Sequence, residues 1–253
     1  MDVMNLFESL FRWIHVVAGI IWIGHLYFFN WVQSQFEPTL DAETKKKVIP
    51  ELRPRALYWF RWGAAFTWVT GVLLLLLVYY HGGILLANPS EGWGIGTILM
   101  VIVTFTAVFL YDYLAAVITD PQMQFWAGVV AAGVFVFLAD FLGGFSYRGY
   151  AIHLGSMFGT TMAFNVWFRI WPNQQKIITA IKNGQAPEPA TVALAGSRSK
   201  HNTYMSVPLV FTMISQHQRL IWAANPLALT LTVLVGFFGT YHLFNHAPKV
   251  KGF

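Results

Sequence analysis

The sequence contains no cysteine among its 253 residues, and only 11% of its residues are charged. Without cysteine the chain cannot form a disulfide, a zinc–thiolate site, an iron–sulfur cluster or a thioether-attached haem. A redox centre held by its side chains must therefore use the 8 histidines or the 8 methionines. A soluble domain usually carries about 25% charged residues. The low charge thus excludes an ordinary soluble enzyme, a coiled coil and a disordered tail.

Long apolar runs make up most of the sequence. Hydrophobic residues make up 56% of the chain, and its mean hydropathy is +0.53. A helix needs about 20 mostly apolar residues to cross a bilayer, and seven windows qualify: 6–32, 57–80, 95–118, 123–145, 148–171, 204–218 and 226–245. The runs are too long for strands and do not alternate. The sequence predicts an all-α integral membrane protein, a seven-helix transmembrane bundle forming a single domain over residues 1–253.

The basic residues predict the orientation of this bundle. Residues 33–56 and 172–203 are predicted cytoplasmic loops, with a surface loop over 183–199. An outer N-terminus and an inner C-terminus put 13 of the 16 Lys and Arg residues on the inner side and leave Arg12, Arg148 and Arg219 outside. Topology therefore accounts for the net charge of +5, and no nucleic-acid partner is expected.

The first and fifth predicted helices share a short pattern. Each has an arginine near its outer end, then Ile-His, then Phe-Asn towards its inner end: Arg12, Ile14, His15, Phe29 and Asn30 in the first, and Arg148, Ile152, His153, Phe164 and Asn165 in the fifth. A four-helix unit followed by a partial parallel copy would produce this pattern. Chance similarity between two apolar helices is the alternative.

Histidines inside a membrane are costly and usually functional. At about 1.5 Å of rise per residue, His15 and His153 lie at matching depths, which suits two axial ligands of one haem b iron. Gly19, like Gly155 and Gly159, would let the macrocycle approach a helix. Arg12 and Arg148 would pair with haem propionates. The alternative is hydrogen-bonded core histidines beside glycines that pack helices.

Other polar residues suggest further sites. His25 and His242 fall at a similar inner depth and are candidates for a second haem. Asp140 and Asp112 fit either a proton relay or quinone-site acid–base group or a structural ion pair. His217, on the predicted outer side, is with Asp140 a candidate catalytic residue that could meet a substrate or partner.

Two segments are distinctive: residues 12–30, with Arg12-Trp-Ile-His15 and Gly24-His25-Leu, and residues 201–217, which begin His201-Asn-Thr-Tyr-Met-Ser-Val-Pro208. Both resemble the bacterial membrane-bound urate oxidase, or urate hydroxylase, family. The residues that match the family's pattern are His15, His25, Asn202, Tyr204, Pro208 and His217.

The resemblance implies a bacterial inner-membrane protein that couples oxidation to a respiratory chain through a c-type cytochrome. With the orientation predicted from the basic residues, its N-terminus is periplasmic. In that family a periplasmic cytochrome domain follows the membrane domain, whereas this chain has no cysteine to attach a haem. We therefore expect a membrane b-type haem subunit that passes electrons to a separate c-type cytochrome. The alternatives are a catalytic membrane urate or purine oxidase that uses a separate cytochrome, and a structural subunit of a respiratory or photosynthetic complex.

Overall fold

The structure, a computed structural model, describes residues 3–215 and 225–251. Its α-helices are α1 (Val3–Tyr27), α2 (Ser34–Phe36), α3 (Ala42–Leu74), α4 (Ile95–Val117), α5 (Pro121–Phe141), α6 (Tyr147–Phe164), α7 (Trp171–Lys182), α8 (Pro189–Ile214) and α9 (Pro226–His246). In this described part the β-pairing is limited to an isolated bridge between Leu86 and Phe145. The all-α prediction is confirmed.

Five helical segments of the described part are long and apolar enough to cross a bilayer: Val3–Thr39, Ala42–His81, Ile95–Val117, Pro121–Phe141 and Pro226–Lys249. They overlap the predicted spans 6–32, 57–80, 95–118, 123–145 and 226–245. The predicted spans 148–171 and 204–218 also fall on helices wherever they are described, but these helices carry more polar side chains. The count of seven and the outer N-terminus stay predictions.

The segment 33–56, predicted as a cytoplasmic loop, is helical from Ala42 onwards, because α3 begins there. The Asp41 carboxylate caps this helix by accepting hydrogen bonds from the backbone N–H and the hydroxyl of Thr44, both at 2.8 Å. The lysines that follow have high helix propensity although they are unfavourable in a membrane. Hydropathy alone therefore places the start of the helix too late.

The predicted loop over residues 172–203 is also largely helical. α7 ends at Lys182 and α8 begins at Pro189. Gly184, with φ +72°, ends α7 in the left-handed conformation that favours glycine at this position. The surface loop is thus confined to residues 183–188.

Three segments of π-helix occur in the described residues: Phe28–Gln33 after α1, Leu75–His81 after α3, and Asn165–Ile170 after α6. Such wider turns are rare and often mark functional positions. Two of them contain the asparagines of the Phe-Asn pairs, Asn30 and Asn165. The structure therefore adds a backbone likeness to the sequence likeness between these helices.

The contacts divide the chain into two compact units. The first unit comprises Met1–Phe11, Gly71–Thr161 and Met205–Gly239. The second unit comprises Arg12–Thr70, Met162–Tyr204 and Thr240–Phe253. Each unit has fully buried apolar side chains of its own, among them Val136, Leu154, Leu229 and Val233 in the first, and Leu26, Ala64, Met162 and Val166 in the second.

Candidate functional site

His153, in the first unit, has no exposed surface. Its Nδ1 lies 2.7 Å from the carbonyl oxygen of Gly149, and its Nε2 lies 2.9 Å from the Tyr80 hydroxyl. The Phe145 ring packs against the imidazole at 4.7 Å between centroids. Because a carbonyl oxygen can only accept, the proton of the neutral ring must be on Nδ1. Tyr80 therefore donates its O–H to Nε2.

Sequence analysis did not identify Tyr80. The residue lies in the π-helix Leu75–His81, at the end of a predicted span. His153 lies near the start of another predicted span, and the proposed topology places both of these ends on the outer side. A tyrosine and a histidine at matching depths in two spans are the sequence signal for this pair.

His15, in the second unit, also has its Nδ1 beside a backbone carbonyl. Its Nδ1 lies 2.9 Å from the carbonyl oxygen of Thr67 and 3.2 Å from the Thr70 hydroxyl oxygen. The Thr70 hydroxyl itself donates to the carbonyl oxygen of Phe66, so it accepts from His15. The proton of His15 is again fixed on Nδ1, which leaves the Nε2 lone pair available.

His25, also in the second unit, repeats the arrangement within α1. Its Nδ1 donates to the carbonyl oxygen of Ile21 at 2.7 Å. Three of the four predicted haem ligands, His15, His25 and His153, thus have Nδ1–H bound to a backbone carbonyl. Histidines that bind metals usually show this hydrogen bond, because it fixes the tautomer, orients the ring and increases the basicity of Nε2.

The fourth predicted haem ligand, His242, differs from these three. It is exposed on α9, and its ring stacks on that of His246 at 6.3 Å between centroids. His217 lies outside the described residues. Within the described ranges 3–215 and 225–251, no group of three or more His, Asp or Glu residues is placed to hold a metal ion.

The predicted arginines and carboxylates differ in exposure. Arg148 and Asp140 are exposed, whereas Arg12 and Asp112 are half-buried. Arg12 belongs to the second unit together with His15, and Arg148 belongs to the first unit together with His153. Each predicted arginine therefore shares a unit with the histidine that follows it in the sequence pattern.

The glycines near the histidines pack against protein. A Cβ added to Gly155 would lie 2.3 Å from the Thr212 hydroxyl, so α6 and α8 meet closely at this position. Gly159 would only come into ordinary contact with Leu209, and Gly19 with Thr67. For Gly155, helix packing is the interpretation that the structure supports, rather than close approach of a macrocycle.

A buried amide network lies in the second unit. Asn30 donates to the Ser199 hydroxyl at 2.8 Å, and Asn165 donates to the side-chain oxygen of Asn202 at 2.8 Å. Asn202 in turn donates to the carbonyl oxygen of Met162 at 3.0 Å. Asn30 and Asn165 each lie in a π-helix and bind side chains of α8. The repeated Phe-Asn pair was the sequence signal for this network.

Comparison with known families gives one match. The model of the family described as "Urate oxidase N-terminal" matches residues 1–251. No curated protein matches the chain, and no solved structure matches it. The matched region contains every histidine discussed above, and the match confirms the resemblance seen in residues 12–30 and 201–217.

Proposed function

We propose, from the premise that the chain belongs to the urate oxidase N-terminal family, that it is a membrane-embedded electron-transfer component of an oxidoreductase. In this proposal its histidines bind haem b, and electrons pass to a c-type cytochrome on the periplasmic side of a bacterial inner membrane. The five apolar helices and the family support a membrane oxidoreductase component. Haem binding, the cytochrome partner and the orientation in the membrane are proposals.

The observation that supports the proposal most strongly is that three imidazoles have the same tautomer. His15, His25 and His153 each donate Nδ1–H to a backbone carbonyl, so Nε2 is the atom that each presents as a ligand. Haem b bound through such nitrogens supplies a one-electron carrier. The chain's own contribution is to hold each ring in one tautomer and one orientation.

The three histidines fit this role to different degrees. Nε2 of His153 already accepts the Tyr80 hydroxyl, so ligation by His153 requires Tyr80 to release it. His15 and His25 are half-buried, and the hydrogen bonds that hold them involve Nδ1. They are therefore the first candidates for ligands. The pairings of His15 with His153 and of His25 with His242 stay predictions.

The optical spectrum of the purified chain tests the proposal. We expect a Soret band that shifts when the protein is reduced, and electrons that then pass to an added soluble c-type cytochrome. A protein that expresses with haem available and shows no Soret band would contradict the proposal. A bound haem that reduces no c-type cytochrome would restrict the proposal to haem binding.

Catalysis of urate oxidation is a second candidate function, and the family match is the observation that favours it. The cytochrome would be supplied by a separate chain. Membranes containing the protein should then reduce added c-type cytochrome when urate is supplied, and His25→Ala should lower this rate. If membranes that retain haem show no urate-dependent reduction of the cytochrome, urate oxidation is contradicted and the electron-transfer proposal is unaffected.

A further inference from the structure

Arg61 lies on α3 where the charged part of this helix meets its apolar part. Arg53 and Arg55 precede it, and no Asp, Glu, Lys or Arg follows it before Glu91. The apolar run that begins directly after Arg61 and continues to the end of the predicted span is close to the length that crosses the hydrocarbon of a bilayer. Arg61 therefore falls at the level where this helix passes from the headgroup region into the hydrocarbon.

Aromatic rings hold the guanidinium of Arg61 by its face. Its central carbon lies 4.0 Å from the ring centroid of Trp171. The centroids of Trp167 and Tyr58 are 5.7 and 5.8 Å away, and all four residues belong to the second unit. A guanidinium stacked on a ring keeps its N–H groups in its own plane, directed away from that ring. Its Nε is buried without a partner and cannot meet a ligand, whereas the two terminal nitrogens are not enclosed in this way. The terminal N–H groups are therefore the available donors.

The charge of Arg61 is not neutralised by a carboxylate of the described part of the chain. Arg53 and Arg55 each form an ion pair with a glutamate, whereas Arg61 forms none there. The sequence explains this difference, because residues 52–90 and residues 141–187, which supply the rings around Arg61, contain no Asp or Glu. A cation at the edge of the hydrocarbon is costly without a partner. A ligand that carries a negative charge is therefore favoured.

An exposed apolar strip begins beside Arg61 and continues along α3. Trp62, Phe66 and Val69 are all exposed, and successive members are four and three residues apart, so they share one face of the helix. The Trp62 ring meets the Phe66 ring at 6.1 Å between centroids. It also meets the ring of Trp167, which contacts Arg61, at 5.5 Å. The anionic ligand thus has an apolar surface for a long hydrocarbon chain, which a small soluble anion would not use.

We propose that Arg61 binds the phosphodiester of an anionic phospholipid, with its terminal N–H groups donating to phosphate oxygens and an acyl chain lying on Trp62, Phe66 and Val69. A guanidinium matches two oxygens of one phosphate, and exposed aromatic rings are typical of this depth in a membrane. A zwitterionic phospholipid offers the same phosphate together with a cation that Arg61 repels. The site therefore prefers a lipid with a net negative charge. This proposal uses none of the histidines, so it and haem binding can fail independently.

The test uses the full chain, purified in detergent and freed of lipid, with bound lipids counted by native mass spectrometry. The probes are phosphatidylglycerol, phosphatidylcholine and diacylglycerol with the same acyl chains. We expect phosphatidylglycerol to bind more tightly than phosphatidylcholine and about tenfold or more tighter than diacylglycerol, as a hydrogen bond to a charged group provides. Glycerol phosphate, which has no acyl chain, should not displace it. Equal affinities for the three lipids, or displacement by glycerol phosphate, would overturn the proposal.

A variant and a matched control test the assignment to Arg61. Arg61→Gln should abolish the preference for phosphatidylglycerol over the other two lipids. Arg55→Gln removes the same charge from an exposed arginine of the same helix that already pairs with Glu51, so the preference should remain. The preference is a ratio of affinities within one protein sample, so partial unfolding does not mimic its loss. A preference that survives Arg61→Gln, or that is lost equally in Arg55→Gln, would also overturn the proposal.

Discussion

The Tyr80 hydroxyl donates a hydrogen bond of 2.9 Å to Nε2 of His153, a residue 73 positions away in the chain. This contact joins the π-helix that follows α3 to the first turns of α6 inside the first unit. With Gly149 on Nδ1, both nitrogens of a fully buried imidazole are bound. His153 is therefore a structural hydrogen-bond centre, and the proposed ligation of a haem iron by its Nε2 requires Tyr80 to give up that nitrogen.

Replacing Tyr80 by phenylalanine should destabilise the haem-free protein by about 1–3 kcal/mol. The substitution leaves Nε2 of His153 buried without a donor. The free energy of unfolding in detergent, from a denaturant titration, measures this effect. Tyr113→Phe, at an exposed tyrosine of α4, is the control and should change the free energy of unfolding by much less.

A double-mutant cycle shows whether the loss comes from this pair. In a His153→Leu background, Tyr80→Phe should have little further effect, because the acceptor has already been removed. Additive losses from the two substitutions would show that Tyr80 and His153 do not interact as described.

Replacing Asn202 by leucine should destabilise the protein by about 1–3 kcal/mol or more. Asn202 has no exposed surface, and the variant removes the acceptor of the Asn165 amide and the donor to the Met162 carbonyl. Thermal unfolding in detergent provides the measurement. Asn245→Leu, at an exposed position of α9, is the matched control. Equal melting temperatures for the two variants would contradict the network.

Gly155→Ala should destabilise the packing of α6 on α8 by about 1–3 kcal/mol, the usual cost of overpacking. The new methyl group would lie 2.3 Å from the Thr212 hydroxyl, so one helix must shift. Gly24→Ala should be neutral or slightly stabilising, because the described residues, apart from its two chain neighbours and the backbone of its own helix, place no atom within 4 Å of the added methyl group. The free energy of unfolding of both variants checks this difference.

Rescue by a second substitution identifies the cause. Thr212→Ala removes the hydroxyl that the Gly155→Ala methyl group would meet, so the double variant should recover part of the lost stability. No recovery would mean that Gly155 is required for another reason, such as close approach of a ligand.

Hydropathy was sufficient to predict the helices that are apolar along their whole length. α4, Ile95–Val117, and α9, Pro226–His246, agree closely with the predicted spans 95–118 and 226–245. Hydropathy was insufficient where a helix is polar. The beginnings of α3 and α8 are charged or small-residue segments whose helical structure depends on propensity, on the Asp41 cap and on packing. A hydropathy average reflects only the free energy of transfer of side chains to lipid, so it includes neither helix propensity nor capping nor packing.

The candidate sites were only partly predictable for a related reason. The positions of His15 and His153 within their helices were visible in the sequence, as was the Phe-Asn pair. Their partners were not: Tyr80, Thr67 and Ser199 are brought to these positions by tertiary packing. The wider π-helical turns at Asn30, Tyr80 and Asn165 leave no mark on hydropathy either.

The haem content of purified wild-type and histidine variants, quantified per chain as the pyridine haemochrome, tests the central proposal most directly. The wild type should retain non-covalently bound haem b, and His15→Ala and His25→Ala should each lose much of it. His246→Ala, at an exposed histidine at the end of α9, should retain the wild-type content. Haem content that is absent from the wild type, or unchanged in both His15→Ala and His25→Ala, would contradict the assignment of these imidazoles as ligands.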